Sequence, residues 1–261
     1  MNCRVEKSEI NGKIVCPPNK SYTHRAIFLA TLADGKSIIK NILKSGDTYS
    51  TINACKNFGA EIKDVGNDIT VNSTGELKLH SNTIDAANSG TTIRIATAIS
   101  TLSSDKIVLT GDSSLKKRPM QPLLDALESL DAKCSSSNGN PPISISGKIK
   151  GGEVKISGSV SSQFISALMI TAPKLEKGLI LNIQNKLVSK PYIDATIAAM
   201  KKFGAEVKIK TAYKKYVIDK RPPQQYSIDT LSSIGNRALK ADIWLLDTAA
   251  IRDCETSMLG S

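Results

Sequence analysis

A threefold internal repeat restricts the folds open to this chain more than any other feature of its sequence. In each copy an amphipathic helical pattern is followed by a small residue and a short strand pattern. The copies lie at residues 48–62, 119–134 and 191–207. The alanines that follow the helical patterns, Ala60, Ala132 and Ala205, are separated by 72 and then 73 residues. Chance similarity among amphipathic helices is the alternative, but agreement in register over three copies favours a real repeat.

Each copy is preceded by a further helical pattern, and strand patterns lie around it. The further helices are predicted at residues 22–33, 91–102 and 162–172. Runs rich in β-branched residues predict strands at residues 106–110, 153–157 and 179–183. One unit therefore has the order strand, helix, strand, helix, strand, strand. Three such βαβαββ units predict a single α/β (α+β) domain with helices packed on sheets.

The loops that open the predicted helices combine capping residues with cations, amides and glycine. They lie at residues 20–25, 88–94, 116–120, 161–164 and 189–194. The start of a helix presents unpaired N–H groups and a partial positive charge, so it favours anions. Ordinary capping explains each loop taken singly, but not the recurrence of Lys, Arg, Gln and Gly beside the caps. Together the loops predict a pocket for a ligand that carries phosphate and carboxylate groups.

The net charge of +11 is compatible with nucleic acid as well as with small anions. However, the sequence has no basic run of five or more residues, and aromatic residues make up only 4% of it, which is little for stacking on bases. We therefore expect small anionic substrates rather than nucleic acid.

No metal site, cofactor motif or membrane segment is predicted. The five cysteines form no CxxC pair and there are only two histidines, so neither zinc ligands nor a disulfide framework is expected. The sequence contains no P-loop and no Gly-rich dinucleotide fingerprint. The N-terminus has no apolar signal region, and no apolar run approaches the length of a membrane span. A cytoplasmic protein is the expectation.

Five loop sequences, in order, resemble those of the enolpyruvyl transferase family, and within it the shikimate-pathway branch. They are PPNKSYTHRAIFLA (17–30), NSGTTIR (88–94), GDSSLKKRPM (111–120), SSQFISALM (161–169) and SKPYID (189–194). The resemblance covers roughly residues 1–219. It implies transfer of the enolpyruvyl group of phosphoenolpyruvate to the 5-hydroxyl of shikimate 3-phosphate by addition and elimination, with release of phosphate. It also implies that no metal or organic cofactor takes part and that the full-length enzyme is monomeric.

The family fold consists of two similar domains, each of three repeated units with helices packed inside sheets. By resemblance, residues 1–14 hold a first strand that belongs to the other domain, and residues 15–219 form the three-repeat substrate-binding domain. Residues 220–261 show no match to the family pattern and are unassigned. The second domain of the family supplies a basic aspartate, a glutamate, two arginines and a lysine, none of which has a matching position here. We therefore expect this polypeptide alone to be an inactive fragment.

The resemblance assigns one set of residues to shikimate 3-phosphate: Lys20, Ser21, Arg25, Ser161, Ser162, Gln163, Ser189 and Tyr192. Within this set Ser161, Ser162 and Ser189 would hold the phosphate. Ser21 and Arg25 would meet the carboxylate, and Tyr192 would lie beside the ring.

The resemblance assigns a second, overlapping set to phosphoenolpyruvate: Lys20, Asn88, Gly90, Thr91, Arg118 and Gln163. Asn88 would shape its loop, and Gln163 would touch both substrates. Lys20 is the implied catalytic residue. It would lie between the substrates, assist proton transfer at the hydroxyl and stabilise charge on phosphoenolpyruvate.

Three other functions stay open at this stage. The branch of the family that transfers enolpyruvyl to UDP-N-acetylglucosamine usually has a cysteine in the loop at residues 111–118, where this chain has none. A non-catalytic anion-binding module would bind shikimate 3-phosphate without turnover. A nucleic-acid-binding protein would bind RNA in a salt-sensitive way.

Overall fold

A computed structural model describes residues 17–230 of the chain. Its helices are α1 Lys20–Leu32, α2 Gly46–Asn57, α3 Gly90–Ser100, α4 Gln121–Glu128, α5 Ser162–Thr171 and α6 Lys190–Lys202. Its strands are β1 Asp34–Lys40, β2 Glu61–Val65, β3 Asp68–Thr74, β4 Thr83–Asp85, β5 Ile107–Thr110, β6 Lys133–Ser137, β7 Asn140–Ser146, β8 Gly152–Ser157, β9 Leu179–Gln184, β10 Lys208–Thr211, β11 Lys215–Ile218 and β12 Ser227–Asp229.

The twelve strands form three four-stranded sheets of the same topology. Their strand orders are β12-β1-β3-β2, β4-β5-β7-β6 and β8-β9-β11-β10. In every sheet the first two strands are parallel, and the remaining neighbours are antiparallel. The predicted three-unit α/β fold is therefore confirmed.

The three alanines of the sequence repeat occupy equivalent positions after α2, α4 and α6. The amides of Ala60, Ala132 and Ala205 donate to carbonyls five residues earlier, at 3.1, 3.1 and 3.0 Å. The residue before each alanine has a left-handed backbone, with φ of 102°, 72° and 77°. This geometry is the usual C-terminal cap of a helix, where glycine is favoured. The repeat seen in the sequence is thus a repeat of helix endings.

The helices lie inside the sheets. Helices α1, α3 and α5 are buried along nearly their whole length and contact one another. Several strands bury alternate residues, as β1 and β7 do, so one face of each sheet covers the helices and the other faces outward. This arrangement explains why the sequences of α1 and α5 have little amphipathic contrast.

Helices α1, α3 and α5 each start where a side chain accepts a hydrogen bond from a free amide of the first turn. Asn19 Oδ1 accepts from the amide of Tyr22 at 2.8 Å at the start of α1. Ser89 and Ser161 accept from amides of α3 and α5, each at 3.2 Å. These caps fix the points at which the loops predicted to bind anions enter the helices.

The first sheet includes strands from both sides of the expected domain boundary at residue 219. Strand β12 lies beyond that boundary and pairs in parallel with β1, with Ile39 opposite Ile228. It takes the place in the first sheet that β4 and β8 take in the other two. Residues up to 230 therefore complete the first unit rather than forming an unassigned tail. The first strand expected at residues 1–14, and the remainder of residues 220–261, lie outside the described residues.

Candidate functional site

Polar contacts made by side chains join the N-terminal halves of five helices. Lys20 of α1 donates to Asp47 of α2, and Thr92 Oγ1 of α3 lies 3.4 Å from the carbonyl oxygen of Asp47. Arg94 of α3 donates to Gln163 of α5. Arg25 of α1 contacts α5 and α6, as described next. The loops predicted from the sequence therefore lie at one end of the helix bundle.

Arg25 is a buried cation surrounded by neutral acceptors. Its side chain is only 1% exposed. Nε donates to Thr196 Oγ1 at 2.7 Å, and Nη1 donates to the carbonyl of Ser21 at 2.8 Å. Nη2 donates to Ser166 Oγ at 3.0 Å and to the carbonyl of Tyr192 at 3.2 Å. These bonds use four of its five N–H groups and bring the predicted residues Ser21 and Tyr192 together.

The guanidinium of Arg25 stays charged at neutral pH. Burial lowers its pKa to about 10, and Tyr192 partly opposes that shift. No carboxylate within residues 17–230 forms an ion pair with it. A buried charge without a counter-ion is costly unless an anion binds nearby. This environment suits the carboxylate that the resemblance assigned to Arg25.

Two further arginines lie over Gly90 at the start of α3. A β-carbon at Gly90 would lie 2.9 Å from Arg118 Nη1 and 3.2 Å from Arg94 Nη1. Arg118 also donates through Nη2 to Asn88 Oδ1 at 2.7 Å. Burial, and then the charge of Arg118, lower the pKa of Arg94. Neither arginine has an acidic partner in the described part of the chain. Two cations and a helix N-terminus therefore converge on one position.

Arg94 is a site residue that the sequence analysis did not single out. It lies within the quoted stretch NSGTTIR, four residues after Gly90, so a helix places the two on one face. Its Nη1 donates to Gln163 Oε1, and its guanidinium carbon lies 5.2 Å from the ring centroid of Phe164. The helical spacing alone was the signal that could have identified it.

The three serines predicted to hold a phosphate differ in how free their hydroxyls are. Ser161 caps α5 by accepting from the amide of Gln163, and Ser162 is buried. Ser189 precedes α6 in a left-handed conformation, with φ of 56°, and its side chain makes no capping bond. Val188 donates its amide to the carbonyl of Gly158 at 3.0 Å, which ties the Ser189 loop to the segment before Ser161. Helix capping therefore explains why a serine occupies position 161, but it does not explain the serine at position 189.

Lys20 begins α1 on the surface. Its Nζ lies 3.1 Å from Asp47 Oδ2, and its side chain is 52% exposed. Exposed ion pairs of this kind contribute little to stability, so Lys20 can exchange Asp47 for a ligand at small cost. Tyr192 is also exposed, at 45%, and its ring centroid lies 5.9 Å from the guanidinium carbon of Arg25. Thr91 is the second residue of α3, directly after Gly90.

Among residues 17–230 there is no cluster of three or more His, Cys, Asp or Glu side chains that could hold a metal ion. Over the same range no helix has both the length and the apolarity needed to cross a membrane.

Several known proteins are similar to this chain over most of its length. The family model described as EPSP synthase (3-phosphoshikimate 1-carboxyvinyltransferase) matches residues 5–252. A protein of Nitrosopumilus maritimus named 3-phosphoshikimate 1-carboxyvinyltransferase is 52% identical over 264 residues, covering 100% of this chain and 61% of that protein. One of the same name from Methanosarcina mazei is 49% identical, covering 79% of this chain and 49% of that protein.

A solved structure supports the same conclusion. The EPSP synthase from Acinetobacter baumannii superimposes with a TM-score of 0.71 at 25% identity, covering 84% of this chain and 49% of that one. This chain thus spans between about half and three fifths of the length of these relatives.

The matches also correct the expectation that the resemblance ends near residue 219. The family match continues to residue 252, and the Nitrosopumilus alignment covers the whole chain. The loop motifs, the three-unit fold and these matches agree, and the chain belongs to the EPSP synthase (3-phosphoshikimate 1-carboxyvinyltransferase) family.

Proposed function

We propose that this chain binds shikimate 3-phosphate and phosphoenolpyruvate at the joined helix starts and takes part in enolpyruvyl transfer between them. The observation that carries the proposal is the convergence of Arg94 and Arg118 on Gly90 without a carboxylate partner among the described residues. Such a position attracts a small, doubly charged anion. The names of the relatives supply the chemical class of the reaction.

Shikimate 3-phosphate would lie across the starts of α1, α5 and α6. Ser161, Ser162 and Ser189 would donate to its phosphate, and the uncapped Ser189 supports this role most directly. The buried charge of Arg25 and the adjacent Ser21 would meet its carboxylate. Four hydrogen bonds hold the guanidinium of Arg25, so little ordering of this group would be needed on binding.

Phosphoenolpyruvate would lie over the start of α3. Arg118 and the amides of Gly90 and Thr91 would meet its charged groups, while Asn88 holds Arg118 in place at 2.7 Å. Gln163 would reach both substrates from the start of α5. Arg94 is added to this set because it holds Gln163 Oε1 and so directs the amide N–H groups of Gln163 elsewhere.

In the reaction, the 5-hydroxyl oxygen adds to C2 of phosphoenolpyruvate, and a proton adds to C3. Loss of phosphate from C2 and of a proton from C3 then restores the double bond. Lys20 is proposed to lie between the substrates, where it would assist transfer of the hydroxyl proton and stabilise developing charge. Its exposed pairing with Asp47 leaves it free to move to the substrates.

Calorimetric titration of phosphoenolpyruvate into the chain saturated with shikimate 3-phosphate tests this proposal. Arg118→Met should weaken binding of phosphoenolpyruvate at least tenfold, because it removes a charged contact. Lys117→Met is the matched control, since it removes the same charge from the neighbouring residue, which is exposed. Equal effects of the two variants would reduce the role of Arg118 to long-range charge and contradict the proposed site.

A further inference from the structure

A chain of four buried side chains links the centre of α1 to the cap of α3. His24, Thr51, Thr92 and Ser89 are all 0% exposed. His24 Nδ1 lies 2.6 Å from Thr51 Oγ1, and Thr51 Oγ1 lies 2.7 Å from Thr92 Oγ1. Thr92 Oγ1 lies 2.7 Å from Ser89 Oγ. This hydrogen-bond chain crosses three helices and ends at Ser89, the residue before Gly90.

The hydrogen bonds of this chain run in one direction. Thr92 has one hydroxyl proton, and Ser89 Oγ, at 2.7 Å, is a closer acceptor for it than the carbonyl of Asp47, at 3.4 Å. With that proton on Ser89, the oxygen of Thr92 accepts from Thr51. Thr51 must then accept from His24, which places a proton on Nδ1. Burial lowers the pKa of His24 to about 4, with Asp47 opposing and Arg25 and Lys20 adding to the effect, so the ring is neutral near pH 7 and its one proton is the one on Nδ1.

At the end of the hydrogen-bond chain, Ser89 is held as the cap of α3 by two bonds from Thr92. Ser89 Oγ accepts from the hydroxyl of Thr92 and also from its amide, the latter at 3.2 Å. Both lone pairs of this oxygen are therefore used, and its rotamer is fixed. The position of Ser89 in turn sets the direction in which the amides of Gly90 and Thr91 point.

The caps of the other two central helices are simpler. Asn19 and Ser161 each make one capping bond to an amide of their own helix. Within residues 17–230, no side-chain hydrogen bond links either cap to another helix. A capping hydrogen bond within the helix is therefore enough to start a helix in this fold. The buried hydrogen-bond chain that ends at α3 goes beyond what capping requires.

We propose that His24 is a positioning residue, which through Thr51 and Thr92 fixes Ser89 and thereby the helix start that receives phosphoenolpyruvate. The inference rests on the proposed function for the identity of that ligand. It does not rest on it for the order of the α3 start, which can be measured without ligand. His24 itself touches no reacting atom in this account.

Isosteric variants separate positioning from packing. Thr51→Val keeps the shape of the side chain but interrupts the hydrogen-bond chain, and Thr51→Ser keeps the hydroxyl. His24→Asn keeps an N–H near the place of Nδ1. Thr97→Val is the matched control, because Thr97 is equally buried in α3 but donates only to the carbonyl of Ile93, at 2.7 Å.

Two measurements apply to each variant: the Kd of phosphoenolpyruvate with shikimate 3-phosphate present, and hydrogen exchange at the start of α3 without ligand. Thr51→Val should raise the Kd about tenfold, in line with the loss of one buried hydrogen bond, and should speed exchange at the Thr92 amide. Thr51→Ser, His24→Asn and Thr97→Val should stay within about twofold of the wild type.

The two proposals fail in distinguishable ways. If the wild type binds phosphoenolpyruvate, and Thr51→Val binds it equally well with unchanged exchange, the positioning role is overturned and the proposed function stands. If the wild type binds no phosphoenolpyruvate, the proposed function fails, and exchange alone decides the present inference. Faster exchange in Thr51→Val than in Thr97→Val then supports it, and equal rates overturn it.

Discussion

Arg94 Nη1 donates a hydrogen bond to Gln163 Oε1, so a single charged side chain joins α3 to the first turn of α5. The same guanidinium lies above Gly90, where an added β-carbon would be 3.2 Å from Nη1. Arg94 therefore connects the helix start proposed to bind phosphoenolpyruvate with the residue proposed to touch both substrates.

Replacing Arg94 with methionine should weaken phosphoenolpyruvate binding more than shikimate 3-phosphate binding. The substitution removes one of two charges over Gly90 and releases Gln163. We expect at least a tenfold rise in the Kd of phosphoenolpyruvate, measured by calorimetry. Lys116→Met in the same region is the control. A larger effect on shikimate 3-phosphate would show that Arg94 serves the other substrate.

Gly90→Ala should impair binding while leaving the fold intact. The new β-carbon would lie 2.9 Å from Arg118 Nη1 and 3.2 Å from Arg94 Nη1. Both contacts involve the ends of flexible side chains, which can move away at little cost to folding but then leave the ligand position. Thermal unfolding should change little, and phosphoenolpyruvate affinity should fall severalfold. A large loss of stability with unchanged affinity would contradict this view.

Arg25→Ala should destabilise the protein strongly, because it removes a buried side chain and the donors to acceptors on α1, α5 and α6. We expect a loss of roughly 3 kcal/mol in the free energy of unfolding, measured by urea denaturation. Lys44→Ala, which breaks an exposed ion pair with Asp64, should leave stability almost unchanged. Similar losses in the two variants would show that the bonds of Arg25 are not structural.

Stability should fall as the pH drops from about 6.5 to about 4, in part because of His24. Its pKa is 6.5 in the unfolded chain and about 4 when folded. The unfolded state therefore binds a proton in this interval that the folded state does not. The contribution is fully present above pH 6.5 and is lost toward pH 4, and it amounts to roughly 3 kcal/mol.

His24→Asn should remove that part of the pH dependence. Urea denaturation at several pH values measures it, and His80→Asn, which replaces an exposed histidine, is the control. Asp47, Arg25 and Lys20, the charged residues that act on His24, are unchanged in both variants. If the two variants show the same pH dependence of stability, His24 does not carry the effect.

Local sequence signals predicted much of the fold. The expected early helices at residues 22–33, 91–102 and 162–172 begin within two residues of α1, α3 and α5. The strand patterns at residues 153–157 and 179–183 match β8 and β9 to within one residue at each end. These elements have capping residues and apolar periods of their own, so neighbouring residues are enough to define them.

Long-range pairings could not be predicted in the same way. Strand β12 joins β1 across a large separation, as shown by the amide of Tyr226 donating to Ser37 Oγ 189 residues away. Its three residues carry no periodic signal, and only the open edge of the first sheet selects them. Sequence patterns alone therefore did not assign β12 to the first sheet.

The candidate site also contains residues that the sequence predicted and contacts that it could not predict. Gly90 and Arg118 stood out because glycine and clustered charge at a helix start have a direct chemical meaning. The bond from Lys20 to Asp47 and the chain from His24 to Ser89 connect different helices. Their residues look like ordinary helix content until the bundle brings them together.

Titration of shikimate 3-phosphate into the 261-residue chain by calorimetry tests the central claim most directly. The account predicts saturable binding at one site, weakened at least tenfold by Ser189→Ala, since a hydrogen bond to a phosphate is charge-assisted. It predicts no comparable binding of UDP-N-acetylglucosamine. Absence of shikimate 3-phosphate binding, or tighter binding of the UDP-sugar, would contradict it.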